Sequence, residues 1–101
     1  MELDPSMYAV FATYVVKDGA GDDVAALLRE HIAATRQEPG CVAAFANRDA
    51  DNASVFRMYE VYADDSSFKQ HLDSPHYARY VAGGIRPLLA DRTVVTANPI
   101  I

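Results

Sequence analysis

The sequence lacks the marks of several large classes of protein. It contains one cysteine, Cys41, so an intrachain disulfide and a CxxC-type metal motif are both excluded. Its 9 basic residues are scattered and outnumbered by 14 acidic ones, and the net charge of -5 argues against nucleic acid as a partner. No apolar run approaches the roughly 20 residues of a membrane-spanning helix. We therefore expect a protein of the reducing cytoplasm that binds neither nucleic acid nor membrane.

Recognisable catalytic and cofactor motifs are also missing. The GAG at 19–21 is a turn rather than a GxGxxG or GxxxxGK phosphate loop, and no GxSxG elbow frames any serine. Cys41 follows a turn and is typical of a small strand hydrophobe rather than a nucleophile. The sequence announces no organic cofactor, and we expect none.

What the sequence does contain is the pattern of one small globular domain. Half of its 101 residues are hydrophobic and 23% are charged, which is ordinary globular composition. We expect a single domain over 1–101, with 1–6 as a flexible leader. The pattern predicts strands at 7–16, 41–49, 54–62 and 92–97, a helix from about 22 to 35, and a second helical region from about 65 that restarts at Ser74-Pro75.

The order β-α-β-β-α-β is that of the ferredoxin-like, split βαβ fold of the α+β class. In this fold two helices cover one face of a four-stranded antiparallel sheet. Tyr59 and Val61 would lie on the other face and leave it apolar, so we expect a second copy of the chain to cover it. The predicted state is a homodimer.

Each predicted helix begins near a side chain that can cap it. A capping oxygen accepts a hydrogen bond from a backbone N–H of the first turn, and proline is tolerated at the first helical position. The candidates are Asp22 or Asp23, Asp64 or Asp65, and Ser74 followed by Pro75.

His31 lies three and four residues after Leu28 and Leu27, on the helix side that should face the sheet. The spacing predicts that its imidazole points inward. It is either a buried histidine bonded to a backbone carbonyl or a functional group in a cavity.

Alternation along the third strand puts Glu60 on the same face as Phe56, Met58 and Tyr62. If this face lies beneath the helices, the carboxylate can orient His31 or raise its pKa. The alternative is a Glu60 at the sheet edge, solvated or paired with Arg57 or Arg79.

The stretch QHLDSPHYARY, residues 70–80, holds two of the three histidines. His71 ends a short helix and could turn into a cleft, whereas His76 at a helix start is typical of a surface residue. A two-histidine, one-carboxylate metal site could be drawn from His71, His76 and Glu60. Because the histidines straddle a proline and lack i, i+4 spacing, we predict no metal. Tyr77 and Tyr80 are typical packing residues.

The segments EPGCVAAF and FRMYEVYADDSSFKQHLDSPHY resemble the antibiotic biosynthesis monooxygenase domains. The family pattern is a hairpin beginning at EPGC, a strand ending in YE-x-W/Y, an acidic turn, and F-x-x-H-L-x-S-P-H-F/Y. The sequence keeps nearly all of this pattern, with Tyr62 where many members carry tryptophan. The likeness extends from the first strand through IRPLLADRTVV.

The resemblance implies a ferredoxin-like homodimer with a small-molecule pocket in each subunit between helices and sheet. Members include cofactor-independent oxygenases of quinols and polyketide phenols, haem-degrading enzymes, and an isomerase of phosphorylated autoinducer-2. The haem branch is disfavoured, because its iron-ligand histidine falls near Val81 and its first-strand asparagine near Ala12 or Thr13. The isomerase pattern is somewhat closer, but a phosphosugar needs cations, for which Arg48, Arg57 and Arg79 are the candidates.

The resulting prediction is a metal-free monooxygenase that oxidises quinol-like or polyketide-like aromatics with O2 through a deprotonated substrate. The alternatives are an isomerase of a phosphorylated hydroxy-ketone and a non-catalytic small-molecule-binding dimer. His31 or His71 would be the base. The predicted catalytic residues are His31, His71, Tyr62 and Glu60, and the predicted substrate-binding residues are Phe11, Phe45, Phe56, Met58, His76 and Tyr80.

Overall fold

A computed structural model describes residues 2–101. Strands β1 (Tyr8–Val16), β2 (Cys41–Arg48), β3 (Val55–Tyr62) and β4 (Leu89–Ala97) form one antiparallel sheet in the order β2-β3-β1-β4. Helix α1 (Gly21–Thr35) joins β1 to β2. The connection from β3 to β4 contains helix α2 (Asp65–Leu72), a π-helical segment (Tyr77–Ile85) and a 3-10 turn (Arg86–Leu88). The predicted ferredoxin-like fold is confirmed. None of the helices in residues 2–101 has the length and apolarity needed to span a bilayer.

The core lies between the helices and one face of the sheet. On this face β1 buries Ala12, Tyr14 and Val16. Helix α1 buries Val24 and Leu28 against them, four residues apart on one side of the helix. Burying an aliphatic side chain of this size contributes about 1.5 to 3 kcal/mol, so this single stripe fixes α1 on the sheet. It also fixes the direction in which the next turn of α1 points.

Two of the three predicted caps are present. The Asp64 carboxylate accepts a hydrogen bond from the Ser67 backbone N–H at 2.8 Å and begins α2. The Ser74 hydroxyl accepts one from the Tyr77 N–H at 3.2 Å. The α1 prediction was wrong, because Ala20 is the N-cap and no side chain caps that end. Asp22 and Asp23 lie in the first turn instead, where their negative charges interact favourably with the positive end of the helix dipole.

The restarted helix differs from expectation in its winding. Residues Tyr77–Ile85 are π-helical, and β4 begins at Leu89 rather than at 92. A Cβ at Gly83 would lie 3.1 Å from the Ala78 carbonyl oxygen, and one at Gly84 would lie 3.3 Å from that of Arg79. Each oxygen belongs to the residue five positions earlier. The two glycines therefore leave room for the wider turn, a type of winding that is frequent at functional sites.

The other face of the sheet is only partly open. Leu3 and Met7 pack against a small cluster of Ala9, Ala43 and Val61, and Val61 is fully buried. The expectation that Val61 would be exposed was therefore wrong, because the segment before β1 folds over it.

The remainder of this face carries an apolar row that crosses all four strands. Phe45 pairs with Tyr59, Tyr59 with Phe11, and Phe11 with Val95. Phe45, Phe11 and Val95 are 46%, 47% and 60% exposed. Side chains of this size gain free energy when removed from water, so a continuous row of them favours association with another surface.

We predict that this row is the contact surface of a homodimer. Phe11→Glu should convert a dimer into a monomer, because a carboxylate in the centre of the row would lose its hydration without a partner. Light scattering after size-exclusion chromatography measures the mass. Gln70→Glu, which adds the same charge at an exposed position of α2, is the matched control. A wild-type mass of 11.1 kDa at all concentrations would contradict the prediction.

Candidate active site

The candidate site is organised around Glu38, in the EPG turn that follows α1. Its Oε2 atom lies 2.7 Å from Nδ1 of His71 and 2.5 Å from Nε2 of His76. His71 is in the last turn of α2, and His76 directly precedes the π segment. One carboxylate oxygen thus accepts hydrogen bonds from two imidazoles on two different elements. Charge-assisted bonds of this kind are among the strongest in proteins.

Local backbone geometry fixes the position of Glu38. Its N–H donates to the Thr35 carbonyl at 3.0 Å, and its own carbonyl accepts from the Cys41 N–H at 3.1 Å. A Cβ at Gly40 would lie 2.4 Å from Oγ of Ser67, in the first turns of α2. Only glycine leaves the space for α2 to pack on this turn, and this packing brings His71 to Glu38.

A second carboxylate lies on the far side of His71. Nε2 of His71 is 3.7 Å from Oε1 of Glu60, and the same Glu60 oxygen accepts a hydrogen bond from the Tyr62 hydroxyl. Glu60 is buried on the helix face of β3, as one of the two sequence interpretations predicts. Burial raises its pKa, partly opposed by the Tyr62 hydrogen bond and by His71. Burial, and next Glu60 itself, raises the pKa of Tyr62.

His31 points inward and is only 3% exposed. Its ring centroid is 5.2 Å from that of His71 and 5.5 Å from that of His76. Burial, and next the neighbouring His71 and His76, together lower the pKa of His31 to about 3. Its Nδ1 atom is buried without a hydrogen-bond partner among the described residues. His31 is thus a neutral imidazole with an unused polar atom, and a weak base.

The three groups His31, His71 and Glu60 line one cavity, which we call the histidine cavity. Its other walls are largely apolar and include Met58 of β3 and Phe68 of α2. The free volume is about 30 Å³, which is the space of about one water molecule. His76 contacts Glu38 but does not line this cavity.

Several predicted substrate-binding residues lie elsewhere. Phe11 and Phe45 belong to the exposed row on the opposite face of the sheet, so the expectation that they line the cavity was wrong. Phe56 faces the helices but borders a different hollow. Tyr80 is half-buried beneath the guanidinium of Arg79, with its ring 6.4 Å from His31. Of the four predicted aromatic residues, none lines the histidine cavity.

A larger hollow of about 340 Å³ lies between α1 and β2. Arg29, Arg36 and Arg48 line it, and no histidine or carboxylate does. Arg36 is bound to the Ala44 carbonyl at 2.9 Å, and Arg48 to the Ala53 carbonyl at 2.7 Å. Because this hollow contains no group that can move a proton near neutral pH, the smaller histidine cavity is the stronger candidate for an active site.

The arginines considered for a phosphosugar do not reach the histidine cavity. Arg57 pairs with Asp49, and Arg48 is 3.0 Å from Asp22. The cation that does line the cavity is Arg92, whose guanidinium donates to the Tyr77 hydroxyl at 3.3 Å.

Comparison with known proteins assigns the family. The antibiotic biosynthesis monooxygenase family model matches residues 7–83. The chain belongs to the antibiotic biosynthesis monooxygenase family. A crystal structure titled as an antibiotic biosynthesis monooxygenase is 30% identical, with 93% of this chain and 99% of that chain covered and a TM-score of 0.87. A search of curated proteins found no match.

Two further solved structures support the fold. Rv0793 from Mycobacterium tuberculosis is 29% identical over 95% of this chain and 97% of its own, with a TM-score of 0.87. PA3566 from Pseudomonas aeruginosa is 22% identical over the full length of both chains, with a TM-score of 0.88. The expected family membership is thus confirmed, and with it a monooxygenase-like domain.

Sequence reasoning missed Glu38, the residue that joins the two histidines of the site. Glu38 lies in the EPGC motif, which at the sequence level marks only the start of the family hairpin. The sequence shows that Glu38 is a carboxylate in the turn between α1 and β2. It does not show which side chains pack against this turn.

We predict that His31 makes the protein sensitive to acid. The unfolded chain protonates this residue near pH 6.5, whereas the native state does so only near pH 3. Between these values the unfolded state binds more protons, so the free energy of unfolding falls as the pH falls. The wild-type protein should therefore lose free energy of unfolding between about pH 7 and pH 4.5, and His31→Gln should make this loss smaller by on the order of 2 kcal/mol.

Urea unfolding of both proteins at the two pH values measures this difference. Glu60 acts in the opposite direction, because its pKa is raised, but it is present in both proteins and largely cancels. Equal acid sensitivity of wild type and His31→Gln would show that His31 is not held neutral.

Proposed function

We propose that the protein is a cofactor-independent monooxygenase that oxidises quinol-like or polyketide-like aromatic molecules through a deprotonated substrate. Family membership supports the reaction class. The observation that carries the proposal for this chain is the hydrogen bond between Nδ1 of His71 and Glu38. With the Nδ1 proton donated to Glu38, the lone pair of Nε2 is left on the other side of the ring. A carboxylate that orients an imidazole in this way is a common arrangement for a general base.

His71 is the better candidate for the base, and His31 for a binding group. A group whose pKa is lowered to about 3 takes a proton poorly near neutral pH. The free Nδ1 of His31 can instead accept a hydrogen bond from a substrate hydroxyl. The hydroxyl of Tyr62 already donates to Glu60, and Tyr62 does not line the cavity. Glu60, in its protonated form, is therefore the donor to the substrate oxygen that becomes negative.

The proposed reaction balances without an added cofactor. His71 removes a proton from the substrate, and the resulting anion passes one electron to O2, which gives a substrate radical and superoxide. These combine at a substrate carbon that carries a hydrogen, and the resulting peroxide anion takes back the proton held by His71. Loss of water from the peroxide leaves a carbonyl, so one oxygen atom enters the substrate and the other leaves in water. Apolar walls such as Met58 and Phe68 favour this chemistry by excluding bulk water.

Substrate entry requires the cavity to widen, since about 30 Å³ cannot hold an aromatic ring. We propose that the wall formed by the end of α2 and the start of the π segment moves. Tyr77 and Leu72 of this wall line the cavity, and Leu72 is 39% exposed. The wide π turn with its two glycines is a less rigid wall than a regular α-helix.

The small volume also favours a second candidate, a dimer without turnover. In that case the buried histidines and carboxylates serve the stability of the fold, and the cavity stays filled by its own side chains. Activity measurements separate the two candidates.

We expect the protein to consume O2 with at least one member of a panel of quinols and polyketide phenols. His71→Gln should lower kcat about 10²- to 10⁴-fold, which is the usual contribution of a general base. Glu38→Gln should lower it at least about tenfold, because the imidazole loses its orienting charge. An oxygen electrode measures the rates.

Glu30→Gln, at an exposed position of α1, is the matched control for the loss of one carboxylate. It should keep wild-type activity. Uptake by wild-type protein no greater than by His71→Gln, across the whole panel, would reject the enzyme in favour of the dimer without turnover.

A further inference from the structure

The atoms around Glu38 also have the composition of a metal site. Nδ1 of His71, Nε2 of His76 and a carboxylate oxygen of Glu38 all lie within 4.8 Å of one another. Ligands bound at about 2.0 to 2.2 Å from a tetrahedral ion lie roughly 3.4 Å apart, so the observed carboxylate–imidazole spacings of 2.5 and 2.7 Å must widen by less than about 1 Å. The three side chains come from three separate elements that pack together, so the geometry is held by the fold.

The surroundings of these atoms are those of a built site. Side-chain exposure is 2% for His71, 15% for Glu38 and 19% for His76, so the site is sheltered but open on one side. Histidines that bind metals usually donate their second N–H to a carboxylate. The second nitrogen of His71 faces Glu60 at 3.7 Å, and Glu60 is itself held by Tyr62.

His31 places a buried polar atom beside the candidate ligands. Its buried Nδ1 has no partner among the described residues, although nearly all buried polar atoms in proteins have one. The ring lies 5.2 and 5.5 Å, between centroids, from the two candidate ligand rings. The histidine cavity, which His31 and His71 both line, has room for about one water molecule that would supply the missing partner.

We propose that Glu38, His71 and His76 bind one divalent first-row transition-metal ion. Two imidazoles and one carboxylate suit Zn²⁺, Co²⁺ or Fe²⁺, whereas Mg²⁺ and Ca²⁺ prefer oxygen ligands. Three protein ligands leave at least one position for water or another small ligand. The metal site considered and rejected from the sequence shares His71 and His76 with this one but has Glu60 in place of Glu38.

Metal binding would change the state of His71. An ion on Nδ1 forces the remaining proton onto Nε2, where it points toward Glu60. His71 could then no longer act as the base proposed above. The bound and free forms would differ in function, and the test of binding does not depend on activity.

The test is titration of tag-free protein with Co²⁺, followed by visible absorption, and with Zn²⁺, followed by calorimetry. We expect one ion per chain. Glu38→Ala and His76→Ala should each weaken Co²⁺ and Zn²⁺ binding at least about tenfold, since even the loss of a supporting residue costs 10- to 100-fold. Glu30→Gln should bind like wild type.

His76→Ala is the safer variant, because His76 is the most exposed of the three ligands. Circular dichroism confirms that each variant is folded. Absence of binding of one ion per chain in wild type, or binding that survives both alanine substitutions unchanged, would overturn the proposal.

Discussion

The structure of the site depends on the two hydrogen bonds that Glu38 accepts from His71 and His76. They join the turn after α1 to the end of α2 and to the start of the π segment. A sheltered carboxylate is costly unless it is paired, and these imidazoles pair it. The same bonds hold the imidazole of His71 with Nδ1 toward Glu38 and Nε2 toward Glu60. Fold stability and the chemical state of the site therefore rest on the same atoms.

This arrangement can serve two kinds of chemistry that exclude each other. With a proton between His71 and Glu38, the outer nitrogen is available as a base. If a metal ion replaces the proton between His71 and Glu38, Nε2 of His71 carries a proton and becomes a hydrogen-bond donor. Family membership supports the first state, and the ligand composition supports the second. What decides between them in the cell is the affinity for metal relative to the metal supply.

The two faces of the sheet have separate tasks. The helix face carries Met58, Glu60 and Tyr62 into the core and the site, and the opposite face carries Phe11 and Tyr59 toward a proposed second copy. Strand alternation links the two faces, because a shift of one residue along a strand moves each side chain from one face of the sheet to the other. Phe11 and Phe45, which the sequence assigned to the pocket, were therefore assigned to the wrong face of correctly predicted strands.

The sequence by itself determined the order of the elements, the caps at Asp64 and Ser74, the inward direction of His31 and the family. These features depend on local periodicity, capping and motif, which act over a few residues. Tertiary structure alone decided the meeting of Glu38 with two histidines, the face occupied by Phe11 and Phe45, the π winding and the small cavity. Each of these depends on how separate elements pack, since a period-2 pattern divides a strand into two faces without saying which one the helices cover.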